Sequence, residues 1–107
     1  MDIPQFVCGD FNIDENDTEN YRYMLNVLGA ENGDIAGSLH VSYDEIDNRL
    51  ARRENGSQQL IDYILLRNSG LVKNIQRRIA VFRRYHNNAP MELSDHYAVE
   101  AVVNFGI

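Results

Sequence analysis

The sequence contains a single cysteine, Cys8, and no long hydrophobic run. One cysteine excludes an internal disulfide framework. No apolar stretch approaches the roughly 20 residues that a membrane-spanning helix needs, so no transmembrane segment is expected. Internal repeats and low-complexity segments are also missing, and 107 residues are enough for one small domain with one core.

Basic residues are scarce in the first half of the chain. Residues 1–48 hold eleven acidic residues and one basic residue, Arg22, whereas residues 49–107 hold nine basic and five acidic residues. An acidic domain is poorly suited to binding nucleic acid by phosphate neutralisation alone. A metal cation is therefore expected to mediate part of any phosphate contact, and nucleic acid is the less favoured partner.

Four arginines, at positions 77, 78, 83 and 84, form the local basic cluster of the second half. Such a cluster is most often a solvated strand or loop, and that interpretation is favoured. A contribution to phosphate binding is the alternative.

The spacing of apolar residues predicts one helix and several strands. "QFVCG" reads as a short buried strand, and Tyr21, Met24, Leu25 and Leu28 share one face of a helix that Gly29 can close. "LIDYILLR" is apolar on both faces, which predicts a central strand. "NIQRRIAVFRRY" is a further strand, with a helix as the alternative, and "HYAVEAVVNF" is the last strand. Residues 30–57, with room for a short strand, and "HNNAPMELSD" are predicted to be loops.

Three motifs place acidic or amide groups beside these strands: "GDFN", "LIDYIL" and "SDHYAVEA". Asp10 and Asn12, two residues apart, fall on one face of an extended chain. Asp62 lies inside an apolar strand, where an unpaired carboxylate would be expensive, and an imidazole such as His96 is its natural partner. Asp10, Asn12 and Asp95 offer hard oxygen ligands of the kind that hold Mg²⁺.

Each motif also has a purely structural interpretation. Asp10 and Asn12 could form an Asx-type turn that ends the strand. Asp62 could accept a backbone hydrogen bond or pair with an arginine, and Asp95 could be an ordinary loop residue. The coincidence of all three motifs in one small domain favours a site.

In this order, "GDFN", "LIDYIL" and "SDH" resemble the three carboxy-terminal signatures of the endonuclease/exonuclease/phosphatase superfamily. Within it, the connecting residues look most like neutral sphingomyelinases, whose Ser-aromatic-Asp signature and later Asn are matched by Ser42, Tyr43, Asp44 and Asn48. The resemblance implies an α+β fold of deoxyribonuclease type, with mainly antiparallel or mixed sheet. Residues 1–107 would form the carboxy-terminal half of a four-layered α/β/β/α sandwich.

The same resemblance implies a role for each matched residue. Asp10 would orient or deprotonate the attacking water, and Asn12 would donate its amide to the developing phosphorane oxygens. Asp62 would hold His96, and His96 would contact the scissile phosphate. Asp95, with Asp10 and Asn12, would bind Mg²⁺ or another divalent cation.

The implied activity is metal-dependent hydrolysis of a phosphodiester, with sphingomyelin at a membrane surface as the favoured substrate. A nuclease, an inositol-phosphate phosphatase and a catalytically inactive half-domain are the alternatives. The family pattern also includes a glutamate, an early asparagine and another histidine from an amino-terminal half that is missing here, so the isolated fragment is expected to be inactive. Two Asn-x-Ser/Thr sites, at Asn16 and Asn55, hint at secretion, with a chance occurrence in an asparagine-rich chain as the alternative. A membrane-peripheral location is also compatible with the sequence.

Overall fold

A computed structural model describes residues 3–67 and 70–106, and within these ranges it contains one α-helix and ten β-strands. In chain order the elements are β1 (Gln5–Asp10), α1 (Thr18–Leu28), β2 (Glu31–Asn32), β3 (Asp34–Ala36), β4 (Tyr43–Asp44), β5 (Gln58–Gln59), β6 (Asp62–Arg67), β7 (Asn74–Ala80), β8 (Arg83–His86), β9 (Ala89–Glu92) and β10 (Ala98–Asn104). The predicted α+β class, with mainly antiparallel strands, is confirmed. No helix in the described ranges is long and apolar enough to cross a membrane.

The first sheet has the order β1-β6-β2, with β6 antiparallel to both neighbours. Its central strand buries Tyr63, Leu65 and Leu66 almost completely, which confirms the prediction from "LIDYILLR". Helix α1 covers this sheet because the apolar face predicted from its spacing packs Met24 against Tyr63 and Leu65. The helix ends at Gly29, whose left-handed backbone suits a residue without a side chain.

The second sheet has the order β10-β7-β3. Strands β7 and β10 pair antiparallel along their whole length, whereas β3 runs parallel to β7. The core on this sheet consists of Leu60, Ile79 and Tyr97, with partly buried apolar side chains around them. Tyr97 directly follows His96, so this core anchors the start of the last strand.

Two loop predictions are wrong. The predicted loop "HNNAPMELSD" contains β9, which pairs antiparallel with β8 in a hairpin, so the predicted strand "NIQRRIAVFRRY" is in fact two strands. Asn87 and Asn88 turn the hairpin with φ angles of 51° and 62°, a conformation that asparagine tolerates well. Residues 30–57, predicted as loop with room for one short strand, contain β2, β3 and β4.

The arginine cluster is only partly solvated. Arg77 is buried, and its guanidinium makes two hydrogen bonds to the carboxylate of Glu15, at 2.8 and 2.6 Å. Arg78 pairs with Glu100 at 2.7 Å, and both side chains are exposed. Because Glu15 is 62 residues from Arg77 in the sequence, the local pattern could not predict that this arginine is internal.

Candidate active site

Asp10 and Asp62 lie directly opposite each other at the end of the β1–β6 ladder. Two like charges in this position repel each other, so the pair needs a cationic neighbour or a hydrogen-bond donor between the carboxylates. Both strands reach their ends here, β1 at its last residue and β6 at its first. The side chains can therefore meet residues that arrive from outside the sheet.

The imidazole of His96 lies against both carboxylates. Its Nδ1 is 2.8 Å from Oδ2 of Asp62, a hydrogen bond, and its Nε2 is 3.8 Å from Oδ2 of Asp10. The second distance is too long for a direct hydrogen bond. Since Asp62 accepts the Nδ1 proton, Nε2 is the nitrogen that remains available on the Asp10 side.

The electrostatics favour the protonated form of this imidazole. Partial burial alone would lower the pKa of His96, but the hydrogen bond to Asp62 and the charges of Asp62, Asp10 and Asp95 raise it further than burial lowers it. The pKa of His96 therefore lies above its ordinary value, and the ring can act as a proton donor nearer neutral pH than a free histidine.

Asp10 takes part in a turn as well as in the contact with His96. Its Oδ1 accepts a hydrogen bond of 2.9 Å from the backbone N–H of Asn12, the Asx-type arrangement foreseen as a structural interpretation, while Oδ2 faces His96. Asn12 is exposed with a φ of 54°. Within residues 3–67 and 70–106 its side-chain amide makes no hydrogen bond, so the amide is free to bind a ligand.

Asp95 is exposed and accepts a hydrogen bond of 3.4 Å from the hydroxyl of Ser94. It acts on His96 through its charge. Among the described residues, Asp10, Asp62 and His96 form a group of three side chains whose possible metal-ligand atoms all lie within 4.8 Å of one another. Asp95 is outside this group. The fold thus brings the predicted residues Asp10, Asp62 and His96 together. The other two predicted residues, Asn12 and Asp95, are close to Asp10 and His96 in the sequence.

Tyr43 was not among the predicted site residues, although the resemblance included it in a signature. Its ring contacts the imidazole of His96, with centroids 4.8 Å apart and planes inclined at 42°. A single β-bridge also joins the two residues. Because Tyr43 is 53 residues from His96, nothing in the local sequence indicated this contact.

A half-open cleft of about 280 Å³ lies beside His96. Its lining is mainly apolar and consists of Phe82, Glu92, Leu93, Ser94, His96, Tyr97 and Ala98. The Glu92 carboxylate is buried and lies 3.4 Å from both Arg49 and Arg83. The cleft therefore offers a mainly apolar surface that includes His96. The Glu92 carboxylate in its lining is balanced by two guanidinium groups.

The donor set is compatible with a divalent cation. Mg²⁺ is commonly held by one or two carboxylates together with oxygens of a phosphate substrate. Asp10, whose side chain is 40% exposed, can supply such an oxygen. Asp62 is hydrogen-bonded to His96, and the other two predicted ligands, Asn12 and Asp95, are close to Asp10 and His96 in the sequence.

The helix and the sheets are those of an α+β protein of deoxyribonuclease-like fold, as predicted. No protein-family model and no curated protein matches the sequence. Among solved structures, the crystal structure of beta toxin 275-280 from Staphylococcus aureus is similar, with a TM-score of 0.76 and 21% sequence identity. The similarity covers 94% of this chain and 37% of the toxin chain.

These comparisons correct one expectation from the sequence. The assignment to the endonuclease/exonuclease/phosphatase superfamily, with neutral sphingomyelinases as the most similar members, is wrong as a statement of family membership, since no family model or curated protein supports it. At 21% identity the likeness to the toxin establishes the fold alone.

Proposed function

We propose that this chain takes part in the metal-dependent hydrolysis of a phosphodiester, and that its substrate is sphingomyelin, cleaved to ceramide and phosphocholine. The observation that carries the proposal is the position of His96, hydrogen-bonded to Asp62 through Nδ1 and facing Asp10 with Nε2. A carboxylate–imidazole pair beside a second carboxylate is suited to moving protons during ester hydrolysis.

His96 would contact the scissile phosphate. Asp62 fixes the ring and favours its protonated form, so Nε2–H can donate to a phosphoryl oxygen or to the departing alkoxide. Stabilisation of the charge that develops on those oxygens is a major part of catalysis in phosphoryl transfer. Asp62 is then a positioning residue for the catalytic imidazole.

Asp10 and Asn12 would act on the water and on the phosphate. Asp10 can orient or deprotonate the attacking water, since one of its oxygens faces the imidazole and its side chain is 40% exposed. Asn12 would donate its amide to phosphorane oxygens. A divalent cation, Mg²⁺ in the first instance, would be held by Asp10, Asn12 and Asp95 and would neutralise charge on the phosphoryl oxygens.

The charge distribution supports a zwitterionic lipid over a nucleic acid. Residues 1–48 carry eleven acidic groups and one basic group. Three arginines of the basic cluster are engaged by carboxylates, Arg77 by Glu15, Arg78 by Glu100 and Arg83 by Glu92. A nuclease would need such arginines for phosphates, whereas the apolar cleft beside His96 suits choline methyl groups or lipid carbon.

A second candidate is a half-domain that is inactive by itself. The chain covers 37% of the toxin chain that it resembles. In this case the residues act only together with those of a longer polypeptide.

The test is the release of phosphocholine from sphingomyelin vesicles in the presence of Mg²⁺. We expect phosphocholine release by a longer polypeptide in which these 107 residues are part of a complete domain of the toxin's size. The 107 residues alone should release little. His96→Ala and Asp10→Ala should each abolish turnover, while Glu100→Gln, which changes an exposed residue paired with Arg78, should leave it unchanged. Full turnover in the first two variants would refute the proposed roles, and faster cleavage of DNA or of an inositol phosphate would reassign the substrate.

A further inference from the structure

We propose that Ser42 and Tyr43 are positioning residues that set the geometry of the Asp62–His96 pair. The inference deepens the proposed function, since it concerns the same imidazole. It rests on a set of contacts through which these two consecutive residues reach both members of the pair.

Ser42 orders the backbone around Asp62. Its side chain is fully buried, and its hydroxyl oxygen accepts hydrogen bonds from the backbone N–H groups of Ile61 and Asp62, at 3.0 and 3.2 Å. A hydroxyl that accepts two neighbouring N–H groups fixes the direction in which the chain enters β6. That direction determines where the Asp62 carboxylate points.

The same residue also holds the chain next to His96. The Ser42 carbonyl accepts a hydrogen bond of 2.7 Å from the N–H of Tyr97, and the Ser42 N–H donates to the carbonyl of Gln59 at 2.9 Å. All of its polar groups are therefore used, in part toward Asp62 and in part toward the residue after His96. Because Ser42 is buried and is bonded to both segments, it restrains the distance between the side chains of Asp62 and His96.

Tyr43 restrains the ring itself. Its aromatic ring lies 4.8 Å from the imidazole, centroid to centroid, and its backbone forms the bridge to His96. On the preceding side, the amide of Asn48 donates to the carbonyl of Ser94 at 2.9 Å. The imidazole is thus in contact with an aromatic ring, and hydrogen bonds hold the backbone at Ser94 and Tyr97, on both sides of His96.

This restraint matters because the His96 side chain is 28% exposed. A partly exposed imidazole can change rotamer, and a displacement of about 1 Å would stretch the bond to Asp62 beyond hydrogen-bond length. Site side chains generally keep their geometry through packing and hydrogen bonds from residues behind them. Ser42 and Tyr43 supply both kinds of support.

The competing explanation is that both residues only stabilise the fold. The two explanations differ in the folded state, because a purely structural residue changes the free energy of unfolding without changing the Asp62–His96 hydrogen bond in the molecules that remain folded. The Nδ1–H proton and the ring ¹⁵N resonances of His96 report on that bond directly. They can be measured at one fixed pH in the 107-residue chain, with a chelator present and without any need for catalytic activity.

The first comparison is Ser42→Ala against Ser57→Ala. Ser42→Ala removes the acceptor of two backbone hydrogen bonds. Ser57→Ala removes one hydroxyl hydrogen bond, to the carboxylate of Glu45, and Ser57 has no hydrogen bond to residues 61, 62 or 97 within the described ranges. We expect the downfield Nδ1–H resonance of His96 to be lost or shifted upfield in Ser42→Ala and to be retained in Ser57→Ala. A folded Ser42→Ala chain with the wild-type resonance would overturn the role of Ser42.

The second comparison is Tyr43→Leu against Tyr43→Phe, and it decides the matter if Ser42→Ala does not fold. Leucine keeps an apolar side chain but removes the ring, whereas phenylalanine keeps the ring. Loss of the Tyr43 ring current alone would shift the His96 resonances, so the readout is the line width of the hydrogen-bonded Nδ1–H proton. We expect this proton to broaden through exchange in Tyr43→Leu and to keep its wild-type line width in Tyr43→Phe. Wild-type line widths in both variants would overturn the proposal. Failure of phosphocholine release would leave this result unaffected, so the two proposals can fail separately.

Discussion

Asp10 and Asp62 face each other across the last rung of the β1–β6 ladder, and the imidazole of His96 lies against both. Two carboxylates on neighbouring strands would ordinarily repel each other. The shared imidazole relieves this repulsion, and the same arrangement raises the pKa of His96. Stability and proposed chemistry therefore depend on one set of contacts.

The first prediction concerns pH. Since the pKa of folded His96 lies above its unfolded value of about 6.5, the folded protein binds the proton more tightly. This contribution is fully present below the unfolded pKa and is lost as the pH rises through the folded pKa. We expect the free energy of unfolding, measured with urea and a chelator, to fall with rising pH in that window, and to fall less in Asp62→Asn. Identical slopes for the two proteins would contradict the assignment.

The second prediction concerns the buried ion pair. Glu15→Gln leaves the guanidinium of Arg77, which is 5% exposed, without its carboxylate. Removing one partner of a buried pair costs about 3–5 kcal/mol, and the lower end is expected because Glu15 is 27% exposed. Glu100→Gln is the matched control, since the Arg78–Glu100 pair is exposed and should contribute less than about 1 kcal/mol. Equal losses in urea titrations of the two variants would exclude a special role for Arg77.

The third prediction concerns the contact between helix α1 and the first sheet. Met24 is 7% exposed and packs on Tyr63 and Leu65, so Met24→Ala should lower the free energy of unfolding by about 2–5 kcal/mol. Val27 lies on the same helix and is 64% exposed. Val27→Ala should stay within about 0.5 kcal/mol of the wild type, and a similar loss in both variants would show that the helix does not pack as described.

The elements that the sequence predicted correctly are those governed by local patterns. The face of α1 containing Met24 follows from a spacing of three and four residues, and Asp62 was recognisable because a carboxylate in an apolar strand requires a partner. The nature of that partner was inferred from chemistry, and the contact with His96 agrees with it.

The features that escaped prediction depend on residues distant in sequence. The hairpin has a polar, exposed first strand, β8, and a turn at Asn87 and Asn88. Its second strand, β9, includes Pro90, which disfavours a strand assignment. The burial of Arg77 depends on Glu15, 62 positions away. Likewise, Ser42 and Tyr43 contact Asp62 and His96 only after the chain has folded.

The extent of the domain and the roles of Asp10, Asn12, Asp62, Asp95 and His96 stay predictions. The roles of Asp10, Asn12, Asp95 and His96 can be tested together, because each requires a phosphoester or a cation at the same place. A probe that carries both the phosphate and the quaternary ammonium group of the proposed substrate is phosphocholine.

The most direct measurement is a titration of the ¹⁵N-labelled chain with Mg²⁺ and phosphocholine, followed by ¹H–¹⁵N spectra of the backbone and of the His96 ring. The account predicts that the largest shifts occur at Asp10, Asn12, Asp95 and His96, and that Asp10→Asn removes them while Glu100→Gln does not. Shifts confined to other parts of the chain, or none at millimolar concentrations of both ligands, would contradict the claim that these side chains form a phosphoester site.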